Sequence, residues 1–171
     1  MTLSGGEVLQ QAEFATALAD AARAEGIHVA AETTGYASPA RFAAFMEHID
    51  LFLYDFKHAD REAHFAGTGV YNDVILENLR QLVRAGRPVI ARIPVIPRFN
   101  SSPAAARSMA ALLREYGVQE VHLLPFHQFG QNKYTQLGIP YEMAQYKQLH
   151  PEVLTNYRQI FLDEGLDCTF R

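Results

Sequence analysis

The 171 residues contain a single cysteine, Cys168, and no tryptophan. One thiol cannot make an internal disulfide, a four-thiolate zinc centre or an iron–sulfur cluster held by this chain alone. Long apolar runs are missing as well. Leu51-Phe52-Leu53-Tyr54 and Val89-Ile90-Ala91 have strand length and fall far short of the ~20 residues that span a bilayer. The opening Met1-Thr2-Leu3-Ser4-Gly5-Gly6 lacks the basic and apolar regions of a signal peptide. A basic stripe is absent too. The 15 Lys and Arg are scattered, and 19 Asp and Glu outnumber them to give a net charge of −4. Proteins that track phosphates concentrate their cations, so nucleic acid is not an expected partner. Length sets a further limit, because a complete eight-unit (β/α) barrel takes about 250 residues. These absences leave a cytoplasmic globular domain, in which 49% of residues are hydrophobic and 20% charged.

What is present alternates. Thr2 to Ser4 reads as a strand end and Gly5-Gly6 as a turn. Val8, Leu9, Ala12, Ala15, Leu18, Ala19 and Ala22 recur at helical spacing, with Gly26 as the stop. Ile27 to Ala31 reads as a strand and Glu32 to Gly35 as a polar turn. A helix opens near Pro39, and Asp50 to Phe56 is a continuous apolar strand. Asp60 caps a short helix that Gly67 and Gly69 break, and a helical stripe from Val74 to Val83 ends at Gly86. Pro88 to Val95 is the strongest strand. Ser102-Pro103 opens a helix that stops at Gly117, and Val118 to Leu124 is a strand. A loop rich in Gly, Gln and aromatics runs to about Pro140, followed by a helix over Pro151 to Glu164 and a strand from Leu166 to Phe170. Doubly apolar strands alternating with amphipathic helices predict a parallel sheet of βα units in one domain, residues 1–171.

In such an array the strand C-terminal ends converge on one rim. The polar exceptions sit there: Gly5-Gly6-Glu7, Glu32-Thr33, Asp55 with Lys57, Arg92 to Asn100, and His127. Each has a plain reading beside a functional one. Ser4-Gly5-Gly6-Glu7 fits a capping box, yet two glycines suggest close backbone approach by a ligand. Glu32 reads as a turn cap. Asp55 and Lys57 face one side of a strand, as an ion pair or as a grip on a polar ligand. Arg92 interrupts an apolar strand and needs a carboxylate, from the protein or from a ligand. His28, His48 and His150 read as fillers, and His58 and His64 as solvent-exposed. His122 and His127 point to opposite faces, and His127 stands at the rim. Cys168 reads as a buried, inert thiol.

T-L-S-G-G-E at 2–7, E-T-T-G at 32–35, D-F-K at 55–57, R-I-P-V-I-P at 92–97 and L-L-P-F-H at 123–127 occur in order. This set resembles the radical S-adenosylmethionine activating enzymes of glycyl radical enzymes, the pyruvate formate-lyase activating enzyme group. The resemblance covers residue 2 to the C-terminus. It implies an α/β fold, a partial (β/α) TIM-like barrel lacking its first βα unit. It implies S-adenosylmethionine as cofactor, with Gly5, Gly6 and Glu7 at the methionine amino group, Asp55 and Lys57 near ribose and carboxylate, and Arg92 and His127 as further contacts. It also implies a monovalent-cation site of Glu32, Thr33, Asp55 and the Leu53 carbonyl. The implied partner is a pyruvate formate-lyase-like glycyl radical enzyme.

Two departures stand out. Arg98 occupies a position where the family commonly has glycine, and a positive φ there would strain it. The family's C-x-x-x-C-x-x-C motif, which holds a [4Fe–4S] cluster, is expected just before Gly5 and is not in this chain. The chain therefore reads as the C-terminal portion of such an enzyme, unable to bind the cluster or react alone, with a bare sheet edge that favours self-association. Two other classes fit the residues: a metal-dependent TIM-barrel hydrolase using His127, Asp55, Glu32 and His58, and a non-catalytic fragment that keeps the partner-docking surface.

Overall fold

The computed structural model describes residues 1–128, 136–140 and 143–171. Most of the aromatic loop read after His127 lies outside the described residues. The strands are β1 (Thr2–Leu3), β2 (Ala30–Thr33), β3 (Leu51–Asp55), β4 (Val89–Val95), β5 (Glu120–Pro125) and β6 (Asp167–Phe170). The described helices are α1 (Ala12–Ala24), α2 (Pro39–Met46), α3 (Arg61–Thr68), α4 (Asp73–Arg84), α5 (Pro103–Tyr116) and α6 (Thr155–Asp163). Short 3₁₀ turns at Val8–Gln11 and Pro151–Leu154 lead into α1 and α6, so two segments read as single helices begin more tightly wound.

Every neighbouring strand pair is parallel and the order is sequential, β1-β2-β3-β4-β5-β6. Right-handed crossovers in a sequential sheet put all helices on one side, as in a barrel, and leave the other side concave. Among the described strands β1 and β6 are edges, so the sheet is open.

Local sequence explains the element ends. Ser38, Asp60 and Ser102 each accept a hydrogen bond from the backbone N–H three residues on, at the starts of α2, α3 and α5. Gly69 and Gly117 end α3 and α5 in the left-handed region, where a side chain would be strained. Gly67 does not break α3, contrary to the sequence reading. It lies inside the helix because the Phe99 ring packs where its Cβ would stand, 2.3 Å away.

β2 runs three residues later than its apolar pattern suggested, so Glu32 and Thr33 belong to the strand and not to a turn. The strands are also not buried on both faces. β3, β4 and β5 alternate between buried and half-buried residues. Phe52, Tyr54, Ala91, Ile93, Val95, Val121 and Leu123 are buried, and Phe42 and Phe45 of α2 pack on the Phe52 ring at 5.8 and 6.3 Å between centroids. Leu53, Asp55, Ile90, Arg92, His122 and Leu124 alternate onto the concave face and are half-buried.

Candidate functional site

The concave rim is organised by carboxylates. Glu7 precedes the first 3₁₀ turn and accepts from Leu9 N at 3.1 Å, Thr33 Oγ1 at 2.6 Å, Thr34 N at 2.8 Å and Thr34 Oγ1 at 2.5 Å. Its carboxylate thus ties the loop after β1 to the loop after β2. The expected Ser4–Glu7 capping box is not made. Glu7 is itself the N-cap of the turn, accepting from Leu9 N, and Ser4 Oγ donates to Glu32 Oε2 at 2.6 Å. Gly5 has φ 147°, and a Cβ at Gly5 or Gly6 would meet nothing within 4 Å. That backbone is open to approach.

Glu32 is not a turn cap. It accepts from Ser4 and from Arg92 Nη1, and these bonds outweigh burial to hold its carboxyl below the ordinary value of 4.5. Arg92 finds its partners inside the protein, since its Nε also stands 3.5 Å from Asp55 Oδ1. Asp55 and Arg92 are directly registered on β3 and β4. Yet Asp55 Oδ1 and Arg92 Nε are both sealed and lack a hydrogen bond of good geometry. Burial raises the Asp55 carboxyl above 3.8, although Arg92 and Lys57 pull it the other way. Lys57 acts on Asp55 through space and does not form the expected close ion pair with it.

An open cleft of about 200 Å³ lies at this rim, walled by Glu7, Thr34, Asp55, Lys57, His64 and Val70 among others. It is bounded by the loops after β1, β2 and β3 together with α3. Asn100 braces the rim from the β4 side. Buried completely, it donates to Lys57 O at 2.9 Å and Pro94 O at 2.8 Å and accepts from Ile96 N at 2.7 Å. The same loop holds Arg98 at φ 64°, the non-glycine residue in the left-handed region. The strain anticipated at that position is present.

Several expected residues stand elsewhere. His58 and His64 are buried, with 8% and 3% exposure, where the sequence reading put them in solvent. His58 packs on Phe99 at 5.4 Å, accepts from Asp60 N at 2.9 Å, and is shifted toward the neutral form by burial. It does not line the cleft, which removes a ligand from the hydrolase reading. Among the described residues no group of three or more His, Cys, Asp and Glu is placed to hold a metal ion. His122 pairs with Glu120 at 2.9 Å inside β5, while His127 lies exposed two residues beyond that strand. Cys168 is buried in β6 and burial pushes its thiol up to about 12. Sequence reasoning put Asn100 on the rim and Ser4 and Thr34 in motifs without finding their bonds to Lys57 O, Glu32 and Glu7, and it missed His64 as a cleft residue. The i to i+2 alternation could have flagged Glu32 facing Arg92, but loop-to-strand bonds have no periodic signature.

Taken together the fold and rim define an α/β open-barrel protein with a polar cleft at its strand C-terminal ends. The Radical SAM superfamily profile matches residues 1–109, and the chain belongs to that superfamily. It is 39% identical over 171 residues to the 4-hydroxyphenylacetate decarboxylase activating enzyme of Clostridioides difficile, covering 98% of this chain and 54% of that one. It is 47% identical over 137 residues to the isethionate sulfite-lyase activating enzyme of Nitratidesulfovibrio vulgaris, covering 78% and 44%. The chain thus spans about half the length of these relatives. A solved domain of pyruvate-formate lyase-activating enzyme from Bacteroides vulgatus superposes with a TM-score of 0.82 at 28% identity, over 100% of this chain and 98% of that one. No helix of the described residues is long and apolar enough to cross a membrane.

Proposed function

We propose that this chain forms the S-adenosylmethionine-binding part of an activating enzyme for a glycyl radical enzyme. The observation that carries the reading is the cleft at the strand ends, which a carboxylate and an ammonium on Asp55 and Lys57 line together with Glu7, the residue that directly follows the unobstructed Gly5-Gly6 backbone. S-adenosylmethionine carries a sulfonium, an ammonium and a carboxylate, so its site needs both charge signs. The sealed and poorly bonded Asp55 Oδ1 and Arg92 Nε fit a ligand whose polar groups rearrange this pair. In this reading Lys57 takes the ligand carboxylate, Asp55 a hydroxyl or ammonium, and the Gly5-Gly6 carbonyls the amino group. Glu7 positions those glycines without touching the ligand, because its lone pairs are already used. Arg92 and His127 complete the set. Bound S-adenosylmethionine would supply the group that removes a hydrogen atom from carbon, once a one-electron reductant other than the residues of this site cleaves its carbon–sulfur bond.

The residues present do not fit a [4Fe–4S] cluster, whose usual ligands are several accessible thiolates, since the one thiol is sealed in β6. No step is derived through one. The cation set of Glu32, Thr33, Leu53 and Asp55 meets a similar difficulty, as Arg92 already compensates its two carboxylates. The partner we propose is a glycyl radical enzyme of the pyruvate formate-lyase-like kind, met in the cytoplasm. That its relatives are activating enzymes, of 4-hydroxyphenylacetate decarboxylase and of isethionate sulfite-lyase among others, supports an activating role.

Calorimetric titration with S-adenosylmethionine tests the reading. The chain should bind it, and Lys57→Met, which keeps the aliphatic stem and removes the charge, should weaken binding at least 10-fold. Absence of binding by the wild-type chain would overturn it.

A further inference from the structure

His64 is nearly sealed, yet it is one of the residues that line the cleft. Its Nδ1 stands 2.8 Å from the Val70 carbonyl oxygen. A carbonyl only accepts, so Nδ1 carries the proton and donates. Thr68 closes the arrangement, with its hydroxyl 2.7 Å from His64 O and 3.0 Å from Nδ1. The imidazole is therefore fixed in orientation and tautomer. In the neutral ring Nε2 then carries a lone pair. Nε2 makes no hydrogen bond with the described residues, and with Nδ1 turned to Val70 and Thr68 it is the ring nitrogen left to face the cleft that His64 lines.

The cleft lining is of two kinds. Glu7, Asp55 and Lys57 carry formal charge, while His64, Val70, Ile75 and Tyr36 on other segments carry none. The nucleoside is the half of S-adenosylmethionine that carries no charge, and its hydroxyls and exocyclic amine are donors seeking an acceptor. We infer that His64 is a ligand-binding residue whose Nε2 accepts a hydrogen bond from the nucleoside half of S-adenosylmethionine. The inference rests on the reading of the cleft given under Proposed function.

The competing role is structural, a clamp between α3 and Val70. His64→Asn separates the two, because the asparagine amide can donate where Nδ1 does and has nothing where Nε2 stands. His64→Ala removes both. Thermal unfolding and titrations with S-adenosylmethionine, methylthioadenosine and methionine are measured on the full chain. The Asn variant should melt with the wild type and bind S-adenosylmethionine and methylthioadenosine about 10-fold more weakly, with methionine binding unchanged. The Ala variant should show the same affinity loss and also melt earlier. An Asn variant that binds the nucleoside ligands as tightly as wild type, or a loss confined to methionine, overturns the inference while leaving the cofactor reading intact. A wild-type chain that binds neither nucleoside ligand overturns both.

Discussion

The two faces of this sheet are made by the same strands and behave differently. Toward the helices, Phe52, Tyr54, Ile93 and Leu123 are buried among Phe42, Phe45 and Leu79. Toward the concave side, Leu53, Asp55, Arg92 and His122 alternate with them and keep part of their surface open. On the covered face the Tyr54 hydroxyl donates to Ile75 O at 2.7 Å and the Thr33 hydroxyl to Glu7 at 2.6 Å. Among the strand residues, Asp55 Oδ1, Arg92 Nε and Thr169 Oγ1 on the concave face are left without hydrogen bonds, while Asn78 Oδ1 and Gln81 Oε1 on α4 are the unsatisfied atoms of the helix layer. Apolar burial is concentrated on one face of the sheet, and the unsatisfied polar atoms of the strands lie on the other. Functional sites collect such polarity, because a ligand can complete it where the protein does not.

Adjacent substitutions in β3 test that division. Phe52→Ala should cost about 4 kcal/mol of unfolding free energy in urea, because the ring is fully buried and leaves a cavity. Leu53→Ala, one residue on and facing the other way, should cost about 1 kcal/mol, since little apolar surface returns to water. Equal losses would mean that the concave face is as much core as the helix side.

The gentlest test changes a slope more than a midpoint. Asp55 has a carboxyl raised above 3.8, so its contribution to stability is complete below that ordinary value and is lost as pH rises through the raised one. Glu32 acts in the opposite sense. Its carboxyl is lowered below 4.5, so its contribution is present above that value and is lost as pH falls through the lowered one. Asp55→Asn should therefore remove the decline in stability that wild type shows as pH rises from about 4, and leave the acid-side loss in place. Urea midpoints measured across that range check it, and an unchanged slope would mean that Asp55 titrates alike in the folded and unfolded chain.

Some of this was legible in the residues. Asp60 and Ser102 do cap helices, a helix does open at Pro39, and Gly117 does end one, because capping is a matter of a few neighbouring atoms. The alternation of strand and helix fixes the class, and the polar residues at strand ends mark the rim. Gly67 was misread as a break because the reason it is glycine, the Phe99 ring, lies thirty-two residues away in sequence. His64 was misread as exposed for a similar reason. Its charge capacity suggested solvent, while the carbonyl of Val70 and the hydroxyl of Thr68 satisfy it in a buried setting.

The sequence by itself determined the order of elements, their helix starts and the five short motifs, since these depend on local propensity and on period. Only the tertiary structure decided which carboxylate meets which cation. Glu32 joins Arg92 across sixty residues and Glu7 joins Thr33 and Thr34 across more than twenty-five, leaving Lys57 to face the cleft. Those pairings depend on strand register and on how deeply each face is covered, and neither quantity is written in any one segment.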